Sequence, residues 1–162
     1  LPMLKRAVKL EPQQVRAQYW LGTALGKVGQ AKGALEHLRL AMFAQPDNAQ
    51  VLSQMAWVLA TATDPTVRNG TRAVGLAEQA VQLSGEEEPR AFDALAASLA
   101  ETGQFFVAGE AAERGAMIAL QLGDTTLSDA IQRRRTRYLQ NQPYREPESP
   151  SPAIPSPSTV LH

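Results

Sequence analysis

Side chains that could carry out chemistry are few in this sequence, and they are not spaced for catalysis. The 162 residues include no cysteine and two histidines, His37 and His162. Without cysteine the chain has no disulfide framework, no thiolate zinc site and no cysteine nucleophile. The two histidines have no spacing that suggests a catalytic triad or a metal cluster. The sequence therefore predicts no enzyme activity, no metal site and no cofactor.

Two further patterns could suggest ligands, and each has a simpler explanation. Four arginines lie within residues 133–137, which could indicate nucleic-acid binding. They have no interleaved aromatic residues, and the chain as a whole carries 16 basic and 16 acidic residues. Cations near the end of a helix are favoured by its dipole. The glycines at 22, 26, 29 and 33 lie in or between predicted helices, so they do not form a phosphate loop. We predict no nucleic-acid partner.

The overall composition is that of a helical protein. Apolar residues make up 44% of the chain, aromatic residues only 6%, and alanine and leucine dominate up to Leu122. No apolar run reaches the roughly 18 residues that a membrane span needs. We therefore expect a soluble segment without membrane insertion, in either the cytoplasm or the periplasm. Because the sequence begins at Leu1 within a helical pattern, we also expect a fragment of a longer protein.

An internal repeat predicts the fold. Ala7 and Ala41 are 34 residues apart, and Glu11-Pro12 and Gln45-Pro46 have the same spacing. A period of about 34 residues is typical of repeated helical hairpins. Small residues such as Gly22 and Ala34 would let two antiparallel helices approach closely. The sequence predicts an all-α fold of stacked antiparallel helical hairpins.

The repeat divides the chain into segments. We predict a half repeat at 1–12, full repeats at 15–48, 49–88 and 89–122, and a capping helix at 125–140. The second repeat holds about five additional residues, which we place in a longer turn at 63–70. From 141 to 162 the sequence is rich in proline and serine, so we predict a disordered tail. Its minimal PxxP motif at Pro152 and Pro155 is more readily explained by composition than by docking.

The segment 15–48 resembles the tetratricopeptide repeat (TPR) family, and the likeness extends over residues 1–140. The matching residues are Leu21, Gly22, Leu25, Gly29, Ala34, Leu38, Ala41 and Pro46, whereas Gln18 replaces the usual tryptophan. The resemblance implies a right-handed α-α superhelix of about three and a half repeats. Residues 55–74 further resemble a longer-turn repeat near the C-terminus of large bacterial TPR proteins. Some of those proteins carry a membrane glycosyltransferase-like region.

The resemblance also implies a binding groove. In this family the first helices of successive hairpins line a concave wall that holds a peptide. Tyr19 and Trp57 are the expected anchors, unless they pack between hairpins instead. The family's carboxylate clamp is not expected, because this wall offers too few cations. The groove residues implied here are Arg16, Tyr19, Thr23, Lys27, Gln50, Ser53, Trp57, Thr61, Arg90, Asp93 and Glu101.

Three functions remain open at this point. The leading hypothesis is a scaffold that binds a protein or peptide partner. The second is a non-catalytic appendage of a membrane glycosyltransferase-like protein, and the third is a structural stack in a longer solenoid. The third predicts an exposed apolar face on residues 1–10, including Leu4 and Val8, which would favour self-association.

Overall fold

The computed structural model describes residues 1–11 and 14–147. Residues 12, 13 and 148–162 lie outside the described residues, and with them Pro152, Pro155, His162 and most of the predicted tail. The described chain contains only α-helices as regular structure, which confirms the predicted all-α class. They are α1 (Pro2–Leu10), α2 (Val15–Lys27), α3 (Ala31–Ala44), α4 (Ala49–Thr61), α5 (Gly70–Leu83), α6 (Pro89–Glu101), α7 (Phe105–Gln121) and α8 (Thr125–Leu139).

The helices stack as a solenoid in chain order. The pairs α2–α3, α4–α5 and α6–α7 form hairpins, and α8 packs on α7 at the C-terminal end. Across hairpins, α4 packs against α3 and α6, so each unit contacts its neighbours in sequence. No helix in the described part of the chain is both long and apolar enough to cross a membrane.

The helices begin and end at local signals. The Asn48 side chain accepts hydrogen bonds from the N–H groups of Gln50 and Val51, at 3.1 and 3.2 Å, and so caps α4. Gly29 has φ +79° after α2, and the N–H of Gln30 reaches back to the Leu25 carbonyl at 2.9 Å. This left-handed ending satisfies the last carbonyls of the helix and reverses the chain.

The core depends on small side chains. Ala34, Ala73, Ala77, Ala108 and Ala112 are fully buried where helices of a hairpin meet. Gly22 marks the closest approach, because a Cβ there would lie 2.7 Å from Leu38 Cγ and 3.0 Å from the Ala34 carbonyl oxygen. Leucine, methionine and valine from neighbouring helices fill the space around these crossings.

Gln18, which departs from the TPR pattern, is a buried polar residue. Its side chain is 2% exposed, and its Oε1 lies 2.7 Å from His37 Nδ1 on α3. A buried amide is costly unless it is hydrogen-bonded, so the His37 partner explains how α2 accommodates this residue. His37 therefore has a structural contact within the first hairpin.

The first helix is partly covered. Leu4 and Val8 are half-buried against the core, whereas Met3 and Leu10 are 86% and 73% exposed. The apolar residues predicted to be exposed on α1 thus divide between an inner face that packs and an outer face that does not. Self-association through α1 stays a prediction.

The chain after α8 differs from the predicted tail in its first part. Asn141 has φ +58°, and the N–H of Gln142 donates to the Arg137 carbonyl at 3.0 Å, which ends α8 in the same way as Gly29 ends α2. Residues 142–147 then turn back across the solenoid and pack against it. A proline-rich composition argues against regular structure, but it does not prevent an extended segment from docking on helices.

We predict opposite effects for alanine at two helical glycines. Gly22→Ala forces α2 away from α3 and should lower the free energy of unfolding by about 1–3 kcal/mol, as overpacking does. A Cβ at Gly75 meets nothing within 4 Å, and this position of α5 is exposed. It should raise the free energy of unfolding by about 0.5–1 kcal/mol through helix propensity. Urea unfolding followed by circular dichroism measures both; equal effects would contradict the close crossing.

Candidate functional site

A cleft of about 510 Å³ runs along the inner face of the solenoid. The first helices of the three hairpins, α2, α4 and α6, form its floor, and α8 with Glu146 forms its end wall. Its lining residues are Tyr19, Trp20, Thr23, Lys27, Gln50, Ser53, Gln54, Trp57, Glu88, Arg90, Asp93, Ala94, Asp124, Thr126, Leu127, Ala130, Arg134 and Glu146.

Most of the residues predicted for the groove line this cleft. They are Tyr19, Thr23 and Lys27 from α2, Gln50, Ser53 and Trp57 from α4, and Arg90 and Asp93 from α6. They meet because residues three or four apart share one face of a helix. Their role in binding a ligand stays a prediction.

Three predicted groove residues lie elsewhere. Thr61 is 1% exposed, and its hydroxyl donates to the Trp57 carbonyl at 2.7 Å, so its side chain cannot meet a ligand. Glu101 is engaged in ion pairs with Arg68 at 3.2 Å and Arg145 at 2.6 Å. Arg16 is exposed at the start of α2, outside the cleft lining. Each of the three residues lies beyond the stretch of its own helix that lines the cleft.

The part of the cleft beside α2 combines aromatic and polar groups. The Tyr19 and Trp20 rings meet edge to face, 5.1 Å between centroids, and Trp20 is 50% exposed. Burial raises the pKa of the Tyr19 phenol, so it is a neutral hydrogen-bonding group at neutral pH. Lys27 and Arg90 contribute cations, while Glu88 and Asp124 contribute anions. This part offers mixed charge and no single dominant sign.

An ion pair between α6 and α8 closes the other end of the cleft. Arg134 on α8 binds the Asp93 carboxylate through Nε at 3.0 Å and Nη2 at 2.6 Å, with side chains 15% and 7% exposed. Burial raises the pKa of the Asp93 carboxyl, and the Arg134 guanidinium opposes part of that rise. A two-point bond of this kind fixes the guanidinium plane and so positions α8 against α6.

The Arg134 guanidinium also contacts two aromatic rings. Its carbon lies 5.1 Å from the centroid of the Trp57 ring and 5.5 Å from that of Tyr144, within the range of a cation–π interaction. The two rings also meet directly, with centroids 5.6 Å apart. Trp57 is therefore half-buried beneath α8 and the C-terminal segment. Trp57 thus lines the cleft and contacts α8 and the C-terminal segment, and its role as a binding anchor stays a prediction.

The C-terminal segment, residues 143–147, makes three further contacts at this end. The Glu146 N–H donates to the Thr61 carbonyl at 2.8 Å, and Trp57 Nε1 donates to the Glu146 carboxylate. Arg145 pairs with Glu101 at 2.6 Å. Burial also raises the pKa of the Tyr138 phenol, which lies beneath this cluster at the end of α8.

Sequence reasoning missed the contribution of α8. The sequence places Arg134 in a basic run that the helix dipole explains, and residues 144–146 in the predicted tail. A signal was available: Tyr144 is an isolated aromatic among prolines, and Asp93 on an apolar helix requires a cation. Neither signal identifies its partner, because Asp93 and Arg134 are separated by 41 positions.

Neither a protein-family model nor a curated protein sequence matches this chain. Among solved structures, the fold is that of the TPR-like helical solenoids. One of them, MamA, superposes with a TM-score of 0.55 over 85% of this chain and 84% of its own, at 15% sequence identity. At that identity the likeness shows the fold alone.

We predict that Arg134→Ala loosens the end wall. The change leaves the Asp93 carboxylate buried without a partner, which should lower the free energy of unfolding by about 3–5 kcal/mol. Arg133→Ala is the matched control, because Arg133 is the preceding residue of α8 and its side chain is exposed. Amide hydrogen exchange in α8 should accelerate only in the first variant. Similar exchange in both would contradict a structural role for the ion pair.

Proposed function

We propose that this protein is a non-catalytic scaffold that binds an extended segment of a partner protein in the cleft of α2, α4, α6 and α8. One observation carries the proposal. The portion of the cleft beside α2 is concave and open, and Trp20, Lys27, Gln50 and Arg90 present exposed side chains there. A concave surface with a few convergent polar groups and an exposed aromatic ring is typical of a binding site.

The polar groups of the cleft suit a peptide backbone. Gln50 and Gln54 carry both donors and acceptors within this lining. Such groups can pair with the N–H and C=O groups of an extended chain, while the Tyr19–Trp20 pair packs against an apolar side chain. Because cations and anions both border this part, we propose a ligand of mixed charge.

The test is a selection of peptides from a displayed random library on the full chain. Trp20→Ala combined with Gln50→Ala removes contacts from the open cleft without touching the buried core. We expect selected peptides to bind this variant about tenfold or more weakly, as for loss of an interface anchor. Fluorescence anisotropy measures the dissociation constants.

The control removes exposed apolar area from the outer surface. Leu40 and Phe43 on α3 are 53% and 88% exposed, and neither lines the cleft. Leu40→Ala with Phe43→Ala should leave peptide affinity unchanged. Peptides that lose affinity for the control but not for the cleft variant would place binding on the outer surface and refute the proposal.

A further inference from the structure

Residues 143–147 lie in extended form at the end of the cleft that the Asp93–Arg134 ion pair closes, which we call the inner end. Three consecutive side chains contact the helices: Tyr144 meets Trp57 and Arg134, Arg145 meets Glu101, and Glu146 accepts from Trp57 Nε1. The Glu146 N–H also pairs with the free carbonyl of Thr61, forming a single parallel bridge between Ala62 and Glu146. One backbone hydrogen bond and three side-chain contacts thus hold the segment against the helices.

The groups that receive the segment are held by the helices themselves. Asp93 fixes Arg134, Arg68 pairs with Glu101 at 3.2 Å, and the Thr61 hydroxyl bonds back to α4. None of these contacts involves residues 143–147. The receiving wall therefore has contacts of its own that do not depend on the segment. A wall ordered in this way loses less entropy when a ligand binds.

We infer that this wall is a recognition site for an extended peptide of the pattern aromatic–basic–acidic. The chain's own Tyr144-Arg145-Glu146 fills it, and a partner segment of the same pattern takes it by displacing that segment. The inference rests on the proposed function and names the class of partner for the inner end of the cleft.

The chemistry of the wall specifies each position. The Trp57 ring and the Arg134 guanidinium accept an aromatic ring, which a cation–π contact favours over an aliphatic side chain. Glu101 selects a cation at the next position, and the indole N–H of Trp57 selects an acceptor at the third. A segment without the first side chain would leave the Trp57 ring with Arg134 alone, and one without the second would leave Glu101 with Arg68 alone.

Covalent attachment makes the chain's own segment a strong competitor. Only residues 140–143 connect α8 to Tyr144, so the local concentration of the segment is on the order of millimolar or above. A partner peptide can bind only those molecules in which residues 143–147 have left the wall, and its apparent affinity falls in proportion to that fraction. Releasing the segment should raise that affinity.

The experiment uses the full chain and a fluorescein-labelled peptide of residues 142–147, Gln-Pro-Tyr-Arg-Glu-Pro. Two variants release the segment by different means: Tyr144→Ala with Glu146→Ala removes two contacts, and Arg145→Glu places a carboxylate against Glu101. We expect the peptide to bind both released variants about tenfold or more tightly than the unaltered chain. Gln142→Ala, at an exposed position, should behave as the unaltered chain.

Two changes test the specificity. Adding Trp57→Ala to a released variant should abolish binding, and so should a peptide with alanine in place of its tyrosine. Equal affinity for the released and unaltered chains, or no binding to either released variant, would overturn the inference. Loss of the helical circular dichroism signal in both released variants would also overturn it, since the segment would then belong to the folding core.

The outcome is separable from that of the proposed function. Library peptides that depend on Trp20 and Gln50 report on the open part of the cleft, while the Tyr-Arg-Glu peptide reports on the inner end. If the library peptides bind and the Tyr-Arg-Glu peptide does not bind the released variants, this inference fails and the scaffold proposal stands. If only the Tyr-Arg-Glu peptide binds, the inner wall is a peptide site and the open part is not.

Discussion

The close approach of helices at alanine and glycine positions is the constraint on which this structure depends. Where Gly22 faces Leu38, and where Gly115 would bring a Cβ within 3.0 Å of Phe92, no larger side chain fits without separating the helices. Close crossings fix the angle of each hairpin, and repeated hairpins of one geometry generate a curved stack. The concave cleft is the inner side of that curve. Its residues are therefore positioned by alanines that no ligand would contact.

The helices and their order could be predicted from the sequence, because the period of 34 residues, Gly29 and Pro46 are local signals. The resemblance to the TPR family implied which faces of α2, α4 and α6 look inward, and most of the residues named for the groove line the cleft. What could not be predicted depends on pairs distant in sequence. Asp93 meets Arg134 and Trp57 meets Glu146 only after the stack has formed, and no local pattern encodes such meetings.

Helix α8 has two roles, which its sequence alone does not distinguish. Leu127, Ile131 and Tyr138 cover the final hairpin, as expected of a cap. On its other face, Arg134 enters the cleft and joins Asp93 to two aromatic rings. One guanidinium of the arginine run thus contacts a carboxylate and two aromatic rings of the site. Covering the core and shaping the cleft are achieved by opposite faces of one helix.

The position of Pro147 has a consequence for how the ends of the stack are joined. In a solenoid each repeat touches only its neighbours, so packing between helices does not link the first hairpin to the last helix. Pro147 lies beside the first hairpin turn, where a Cβ on Gly29 would be 3.3 Å from its Cδ. Residues 143–147 thereby join the last helix to the first hairpin, two parts of the stack that do not pack on each other through their helices.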